Sequence, residues 1–503
     1  MPVNPQNATG RVYLVGAGPG APGLITLRGV ECLGRADVVL YDYLVNPRIL
    51  RHAPLQVERV CLGRHGRDRI VPQTEINARM VAEARAGRTV VRLKGGDPAV
   101  FGRAAEEVAA LREAGIPFEI VPGITAALAA GSHAGIAVTH RDLASAVALV
   151  TGHQQDEEPA TDLDYASLAS FPGTLVFYMG MTTAEKWTHA LIAAGRTADT
   201  PAAIIRRCTW PDQETIHCTL GTVAEEVARR HLRPPAIVIV GEVAQSRGLS
   251  WFEERPLFGQ TVLVTRPGEQ GIEMADRLSE LGATTLLQPA IRIEEPADWG
   301  PVDAALARLA DFDWLVFSSA NGVRFLMERL LSRHGDLRAL GHIHLAAIGP
   351  RTAEALATYH LKADAAPPED FRAEGLAAEL VGVAPGRRFL LARASRGREL
   401  LAEALTMAGG HVTQVVVYAS RDVESPEREI AEALEAGRID WITVTSSAIA
   451  RSLAQLFGEK LKQARLASIS PITSAAIREL GHSPAVEAKS FTTEGLIRAI
   501  ELG

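Results

Sequence analysis

Three glycine-bearing segments and two sets of charged or hydroxyl side chains are the parts of this sequence that could do chemistry. Gly16-Ala17-Gly18-Pro19-Gly20, Arg92-Leu93-Lys94-Gly95-Gly96-Asp97-Pro98 and Val121-Pro122-Gly123-Ile124-Thr125-Ala126 each follow a β-branched run. Glycine puts no Cβ between backbone and ligand, so such loops recognise a ligand through peptide N–H and C=O groups. That suits a neutral-to-zwitterionic nucleoside better than a triphosphate, and no GxxxxGK[ST] phosphate loop occurs. Taken alone, the first loop also fits a permissive dinucleotide fingerprint, with Asp42 as ribose partner. Against that, Pro19 has no N–H for a pyrophosphate, and Pro22-Gly23 falls where a helix should start.

The charged sets point to an anionic ligand. Arg64-His65-Gly66-Arg67-Asp68-Arg69 is a basic cluster, joined from other loops by Arg103 and Arg141. Arginine can grip carboxylates in two-pronged fashion; the plainer reading is a solvated basic loop. Further on, Val264-Thr265-Arg266-Pro267, Ser318-Ser319-Ala320-Asn321-Gly322-Val323 and Thr445-Ser446-Ser447-Ala448 lie at strand ends. The last two open helices, where hydroxyls cap and free N–H groups make an anion pocket. Each is singly just a cap; their repetition points to a carboxylate-binding cleft. Arg387, Arg388, Arg393, Arg396 and Arg398 read as a second basic cluster. No catalytic triad, nucleophile elbow or metal-ligand constellation is present, so no metal is expected. His140 and His153 read as loop or core residues.

These segments are carried by alternating strands and helices. Strands are expected at 11–16, 37–41, 89–93, 118–121, 146–150, 174–178, 202–206 and 236–240, then at 261–265, 314–317, 345–348, 389–392, 414–417, 441–444 and 466–469. Stretches such as 75–86 and 104–114 carry helical apolar spacing. The class is α/β with largely parallel sheets. With 503 residues, 47% hydrophobic and 22% charged, the chain should form roughly three or four folding units. Its 52 basic against 59 acidic residues, net −7, exclude a general nucleic-acid coat. Cys32, Cys61, Cys208 and Cys218 form no CxxC pair, which fits a reducing compartment. No secretory signal opens the sequence, and the most apolar tract, 124–138, is too short to span a bilayer. A cytoplasmic protein with no membrane partner is expected. The clearest boundary is 244–260, where proline, glycine and aromatics suggest a docked linker.

Val15 to Gly20, Val39-Leu40-Tyr41-Asp42, Arg92 to Pro98, Phe101-Gly102-Arg103, Val121 to Ala126, Thr139-His140-Arg141, Thr151-Gly152-His153 and Leu175 to Gly180 together resemble uroporphyrinogen-III C-methyltransferase. The resemblance covers about residues 10–245. It implies a tetrapyrrole-methylase fold of two α/β lobes, usually a homodimer, that methylates uroporphyrinogen III twice with S-adenosylmethionine to give precorrin-2. It places the cofactor at Pro19, Gly95, Gly96, Asp97, Val100, Thr125, Ala126, Met179 and Cys208, the last where a glycine is frequent. Asp42 matches the proposed proton acceptor. Arg64 stands where relatives usually have a lysine proposed as proton donor; arginine is a poor acid, so a carboxylate clamp is expected there. Arg67, Arg103 and Arg141 would bind the substrate's eight carboxylates.

Residues 258–503 resemble uroporphyrinogen-III synthase through Val264 to Pro267, Ser318 to Val323, Ala347 to Ala353, Val416-Val417-Tyr418, Trp441 to Ser447 and Ile469 to Thr473. Ser470 departs from a frequent glycine. The resemblance implies a cofactor-free, two-lobed α/β enzyme that cyclises hydroxymethylbilane, with Tyr418 assisting loss of the hydroxyl. Arg266, Ser318, Ser319, Thr352, Arg393, Ser446, Ser447 and Thr473 would line its cleft. The expected organisation is a methyltransferase at 10–245, a linker at 246–258 and a synthase at 259–503, with lobe one about 259–293 plus 420–503 and lobe two about 297–415. The product of the second half is the substrate of the first, leading towards sirohaem or cobalamin. Two rival readings remain: a nucleotide-dependent oxidoreductase in the first half, and a non-catalytic tetrapyrrole-binding module in the second.

Overall fold

The computed structural model describes residues 9–63, 71–152, 163–369, 371–397 and 399–503. They divide into two compact units, Met1–Gly259 with Leu281–Thr284, and Gln260–Glu280 with Thr285–Gly503. In the first unit, β1 (Val12–Gly16), β2 (Val38–Tyr41), β3 (Glu58–Cys61), β4 (Val90–Lys94) and β5 (Phe118–Val121) form a parallel sheet in the order β3-β2-β4-β1-β5. Helices cover both faces of such a sheet, so its middle strands are apolar throughout; every residue of β1 is buried. The doubly wound dinucleotide fold pairs its first strand with its second. Here β4 separates them, so the sheet does not have the doubly wound dinucleotide order on which the oxidoreductase reading rests.

The second sheet of this unit contains β6 (Val147–Thr151), β7 (Thr174–Tyr178), β8 (Pro201–Arg206), β9 (Glu214–Thr219) and β10 (Ala236–Val240), in the order β6-β7-β10-β8-β9. Only β6 and β7 are parallel; β7-β10, β10-β8 and β8-β9 are antiparallel. The expectation of parallel sheets fails in this lobe. The turn 207–213 is too short for the crossover that parallel neighbours need. After β10 the chain returns to helix Ala126–Ala134, where Trp251 Nε1 donates to the Ser132 carbonyl at 3.0 Å and Phe252 is buried.

The second unit contains β11 (Thr261–Val264), β12 (Thr284–Leu287), β13 (Ile291–Glu294), β14 (Trp314–Phe317), β15 (His344–Ala347), β16 (Arg388–Ala394), β17 (His411–Asp422), β18 (Trp441–Val444), β19 (Arg465–Ser468) and β20 (Pro484–Glu487). They form two sheets, β12-β11-β18-β19-β20 and β13-β17-β16-β14-β15. β17 is long enough to pair twice. Its start runs parallel to β16, and its end, Ala419–Asp422, pairs antiparallel with β13. That sheet therefore spans 291–422, wider than the 297–415 expected for the lobe. Helix Ala320–His334 buries Val323, Leu326, Met327 and Leu330 at three- and four-residue spacing against it, each contributing about 1.5–3 kcal/mol. No helix among the described residues is long and apolar enough to cross a membrane.

Candidate active sites

The strand-end loops of the first sheet form a floor of touching backbones. Gly18 and Gly96 exchange hydrogen bonds, at 3.2 Å from the Gly18 N–H and 2.8 Å from the Gly96 N–H. A Cβ on Gly16 would lie 2.6 Å from Gly123 Cα, and one on Gly123 would lie 2.3 Å from the Gly96 carbonyl oxygen. Asp97 ties these loops together: Oδ2 accepts from the Gly123 N–H at 2.9 Å and Oδ1 from the Ala99 N–H at 2.7 Å. Its carboxylate thus shapes the floor. Gly20 supports the Trp210 indole, which lies where a Cβ would stand, and the Ala21 N–H donates to Thr209 Oγ1 at 2.8 Å. The turn after β8 therefore docks on the loop after β1.

All nine residues assigned to the cofactor fall in one connected region. Pro19 follows Gly18; Gly95, Gly96 and Asp97 form the neighbouring loop, with the Val100 N–H on the Asp97 carbonyl at 3.2 Å. Thr125 Oγ1 shares a 2.6 Å hydrogen bond with the Tyr178 hydroxyl, which also accepts from the Ala127 N–H at 2.9 Å. Met179 follows Tyr178 with φ 52 and is half exposed. Cys208 lies 3.9 Å from the Ala126 carbonyl oxygen, and burial pushes its thiol up to about 12, so it stays protonated. Phe101, Arg103, Met179, Arg207 and Thr209 all have positive φ. Such strain in non-glycine residues collects at functional sites and costs about 1–3 kcal/mol each.

Asp42 follows β2 and is partly exposed. Its Oδ1 accepts from Arg92 Nη2 at 2.6 Å. Arg92 and Lys94 are buried on central β4, and both donate to Glu107 Oε1, at 3.0 and 2.8 Å. Gln73 Nε2 adds a 3.2 Å bond to the same oxygen. Burial and the adjacent Arg92 hold the Lys94 ammonium below the usual lysine range, against the opposing pull of Glu107. Arg92 thus fixes Asp42 from behind, leaving the carboxylate at the strand-end edge. Arg103 is exposed and forks onto Glu106 at 2.7 Å twice, while Arg141 is exposed. Arg64 and Arg67, with the rest of their cluster, lie outside the described residues, as does His153.

In the second unit, three of the strand-end serines are helix caps. Ser319 accepts from the Gly322 N–H at 3.0 Å, Ser446 from Ile449 at 3.2 Å, and Ser470 from Thr473 at 3.3 Å. Ser447 opens the helix behind Ser446. Ser470 has φ −162, an extended geometry any residue adopts, so replacing a glycine there costs nothing in backbone strain. Thr473 is buried against Ser470, its Oγ1 3.1 Å from the Ser470 hydroxyl, and Thr352 is buried in the first turn of helix Pro350–Ala357. The buried Tyr418 hydroxyl lies 3.1 Å from Ser319 Oγ, its ring stacked 5.8 Å from Phe325; burial raises its pKa, which keeps the phenol protonated. Ser318, Arg393, Gln414 and Tyr418 line a cavity of about 310 Å³. Arg266 contacts Thr493 Oγ1 at 3.5 Å.

Among the described residues, the second basic cluster is split. Arg387 precedes β16 and Arg388 starts it, and both engage Asp313, whereas Arg393 lies at its far end on Glu399 and Gln414, and Arg396 forks onto Asp422. An extended strand carries neighbours in sequence to opposite ends of the sheet. Arg398 is outside the described residues. Sequence reading also missed Tyr178, Thr209, Trp210 and the Arg92–Glu107–Lys94 group. Charged residues in an otherwise apolar central strand, Val90-Val91-Arg92-Leu93-Lys94, were the available signal, because buried charges need partners.

Comparison with known proteins follows the same division. A family model of tetrapyrrole (corrin/porphyrin) methylases matches residues 11–224, and one of uroporphyrinogen-III synthase HemD matches residues 272–498. The porphyrin biosynthesis protein HemD of Ruminiclostridium josui is 34% identical over 503 residues, covering 98% of each chain. Uroporphyrinogen-III C-methyltransferase of Bacillus subtilis is 40% identical over 332 residues, 66% of this chain and 68% of that one. A crystal structure of uroporphyrin-III C-methyl transferase from Thermus thermophilus, complexed with S-adenyl homocysteine, is 42% identical and covers 47% of this chain and 99% of that one, with a TM-score of 0.41. The chain belongs to the HemD family of porphyrin-biosynthesis enzymes, with a tetrapyrrole methylase half followed by a uroporphyrinogen-III synthase half.

Proposed function

We propose that the second unit cyclises hydroxymethylbilane to uroporphyrinogen III and that the first methylates this product twice to precorrin-2, towards sirohaem or cobalamin. The observation that carries the reading is that a tetrapyrrole methylase model and a uroporphyrinogen-III synthase model match the two halves of one chain, which is similar over its whole length to a porphyrin biosynthesis protein; a synthase half would make the substrate of the methylase half. The first floor suits S-adenosylmethionine. Gly96 has φ 68, and a Cβ there would come no nearer than 4.0 Å to Ala126 N, so a ligand can approach bare backbone. Gly95, Gly96, Thr125, Ala126 and Met179 would hold it, and when bound it supplies an electrophilic sulfonium methyl. In-line positioning is most of what this transfer needs. As each carbon–methyl bond forms and a sulfur–methyl bond breaks, one proton leaves the macrocycle; Asp42, oriented by Arg92, takes it.

In the second unit, the bilane's carbon–oxygen bond breaks and hydroxide leaves as water with the proton that buried Tyr418 retains; a new carbon–carbon bond closes the ring, and the proton lost from the attacking pyrrole restores the phenol. Ser319 orients that phenol, and no cofactor is required. The methylase half is read as a homodimer, supported by the exposure of Ile120, Leu128, Leu143 and Leu149, and the protein as cytoplasmic. The test supplies uroporphyrinogen III and S-adenosylmethionine without air and, separately, titrates S-adenosylhomocysteine and NAD(P). Double methylation with tight adenosylhomocysteine binding is expected. Binding of NAD(P) instead, with no methyl transfer, would overturn the reading of the first unit.

A further inference from the structure

Two arginines in the second unit share one neutral partner. Arg351 Nη2 donates to Thr493 Oγ1 at 3.0 Å, and Arg266 Nη1 approaches the same oxygen at 3.5 Å. Arg266 lies just after β11 and Thr493 begins helix Thr493–Leu502, both beside the β12-β11-β18-β19-β20 sheet. Arg351 comes from the other lobe, in the first turn of helix Pro350–Ala357 behind β15. Among the described residues neither guanidinium has an acidic group within ion-pair distance, and both are partly buried. Glu273 attracts Arg266 only from further off, while burial and repulsion from Arg351 lower the Arg266 pKa to about 10.

This arrangement opposes three ordinary preferences. Like charges are brought together, they are partly desolvated, and Arg351 lies at a helix N-terminus, the positive end of the dipole. An anion reverses all three at once. The forked geometry of two guanidiniums with a hydroxyl between them matches a carboxylate. We propose that Arg266, Arg351 and Thr493 form a carboxylate clamp that takes one acetate or propionate arm of the linear tetrapyrrole and, being built from both lobes, draws the cleft closed on it.

This inference rests on the synthase reading for its substrate, but its binding step can be tested separately. The full chain is titrated with citrate, a polycarboxylate probe, at constant ionic strength while thermal unfolding of the second unit is followed. Citrate should raise the midpoint of the wild type, and Arg351→Gln and Arg266→Gln should each lose at least half of that shift. Arg351→Lys, which keeps charge but not the fork, should fall between. Equal shifts in all four proteins would overturn the clamp, whether or not the bilane is turned over. With hydroxymethylbilane, Arg351→Gln should raise KM roughly tenfold with little change in kcat, and an unchanged KM would also overturn it. Absence of turnover in the wild type would count against the synthase reading, leaving the clamp to the citrate result.

Discussion

The first unit's candidate site is made of backbone, and the second unit's of caps. At Gly16 and Gly123 the peptide segments pack against each other and against Gly96, so a methyl group on either has no place to go. At Ser319, Ser446 and Ser470 a hydroxyl satisfies a helix N–H, a task that threonine, aspartate or asparagine also performs. The first kind of site tolerates little substitution and leaves an ordered set of motifs. The second can be rebuilt from several residue types, which makes its sequence signature degenerate while the geometry persists. Charge follows the same contrast: Asp42 is held by a buried Arg92 within its own sheet, whereas Arg266 and Arg351 meet across two lobes.

The sharpest way to break this comparison is Gly123→Ala. Its Cβ would overlap the Gly96 carbonyl, so methylation should fall more than 100-fold and the first unit lose at least about 3 kcal/mol, as for severe overpacking. Bilane cyclisation should be untouched. Methylation assays and unfolding curves on the same protein check both halves of the statement. Asp42→Ala should lower methylation about 100-fold or more, in the range of a lost general base, with adenosylhomocysteine affinity within about threefold by calorimetry. Near wild-type methylation would remove Asp42 from the mechanism.

Tyr418→Phe keeps the ring against Phe325 and loses the Ser319 hydrogen bond. Cyclisation kcat should drop about 100-fold, while stability changes by only about 1 kcal/mol. An unchanged kcat would leave the tyrosine a packing residue. The smallest effect belongs to Ser446→Ala: about 1 kcal/mol from the lost cap, with bilane KM and kcat within about threefold. A collapse of activity comparable to Gly123→Ala would erase the distinction between the two sites.

What could be read from sequence follows the same physical lines. Strands buried on both faces, such as Val12–Gly16 and Ala236–Val240, announce themselves as apolar runs. Glu58–Cys61, Glu214–Thr219, Thr284–Leu287, Ile291–Glu294 and Pro484–Glu487 were not anticipated, and each lies at the edge of its sheet. An edge strand is half exposed, carries charge or proline, and has no continuous hydrophobic signal. The glycine floor was legible because close backbone approach needs a particular residue. The Arg92–Glu107–Lys94 group was not, because Glu107 is one of several acids on a helix and its burial is known only once that helix packs on β4. Arg388 and Arg393 show the converse failure, being close in sequence and set at opposite ends of the strand that contains them.

The central claim is that one chain carries two consecutive reactions, and the most direct measurement gives purified protein hydroxymethylbilane and S-adenosylmethionine together, without air. A doubly methylated tetrapyrrole, identified by absorbance and mass, is the predicted result. Failure from the bilane with success from supplied uroporphyrinogen III would contradict the second activity, and failure from both would contradict the account.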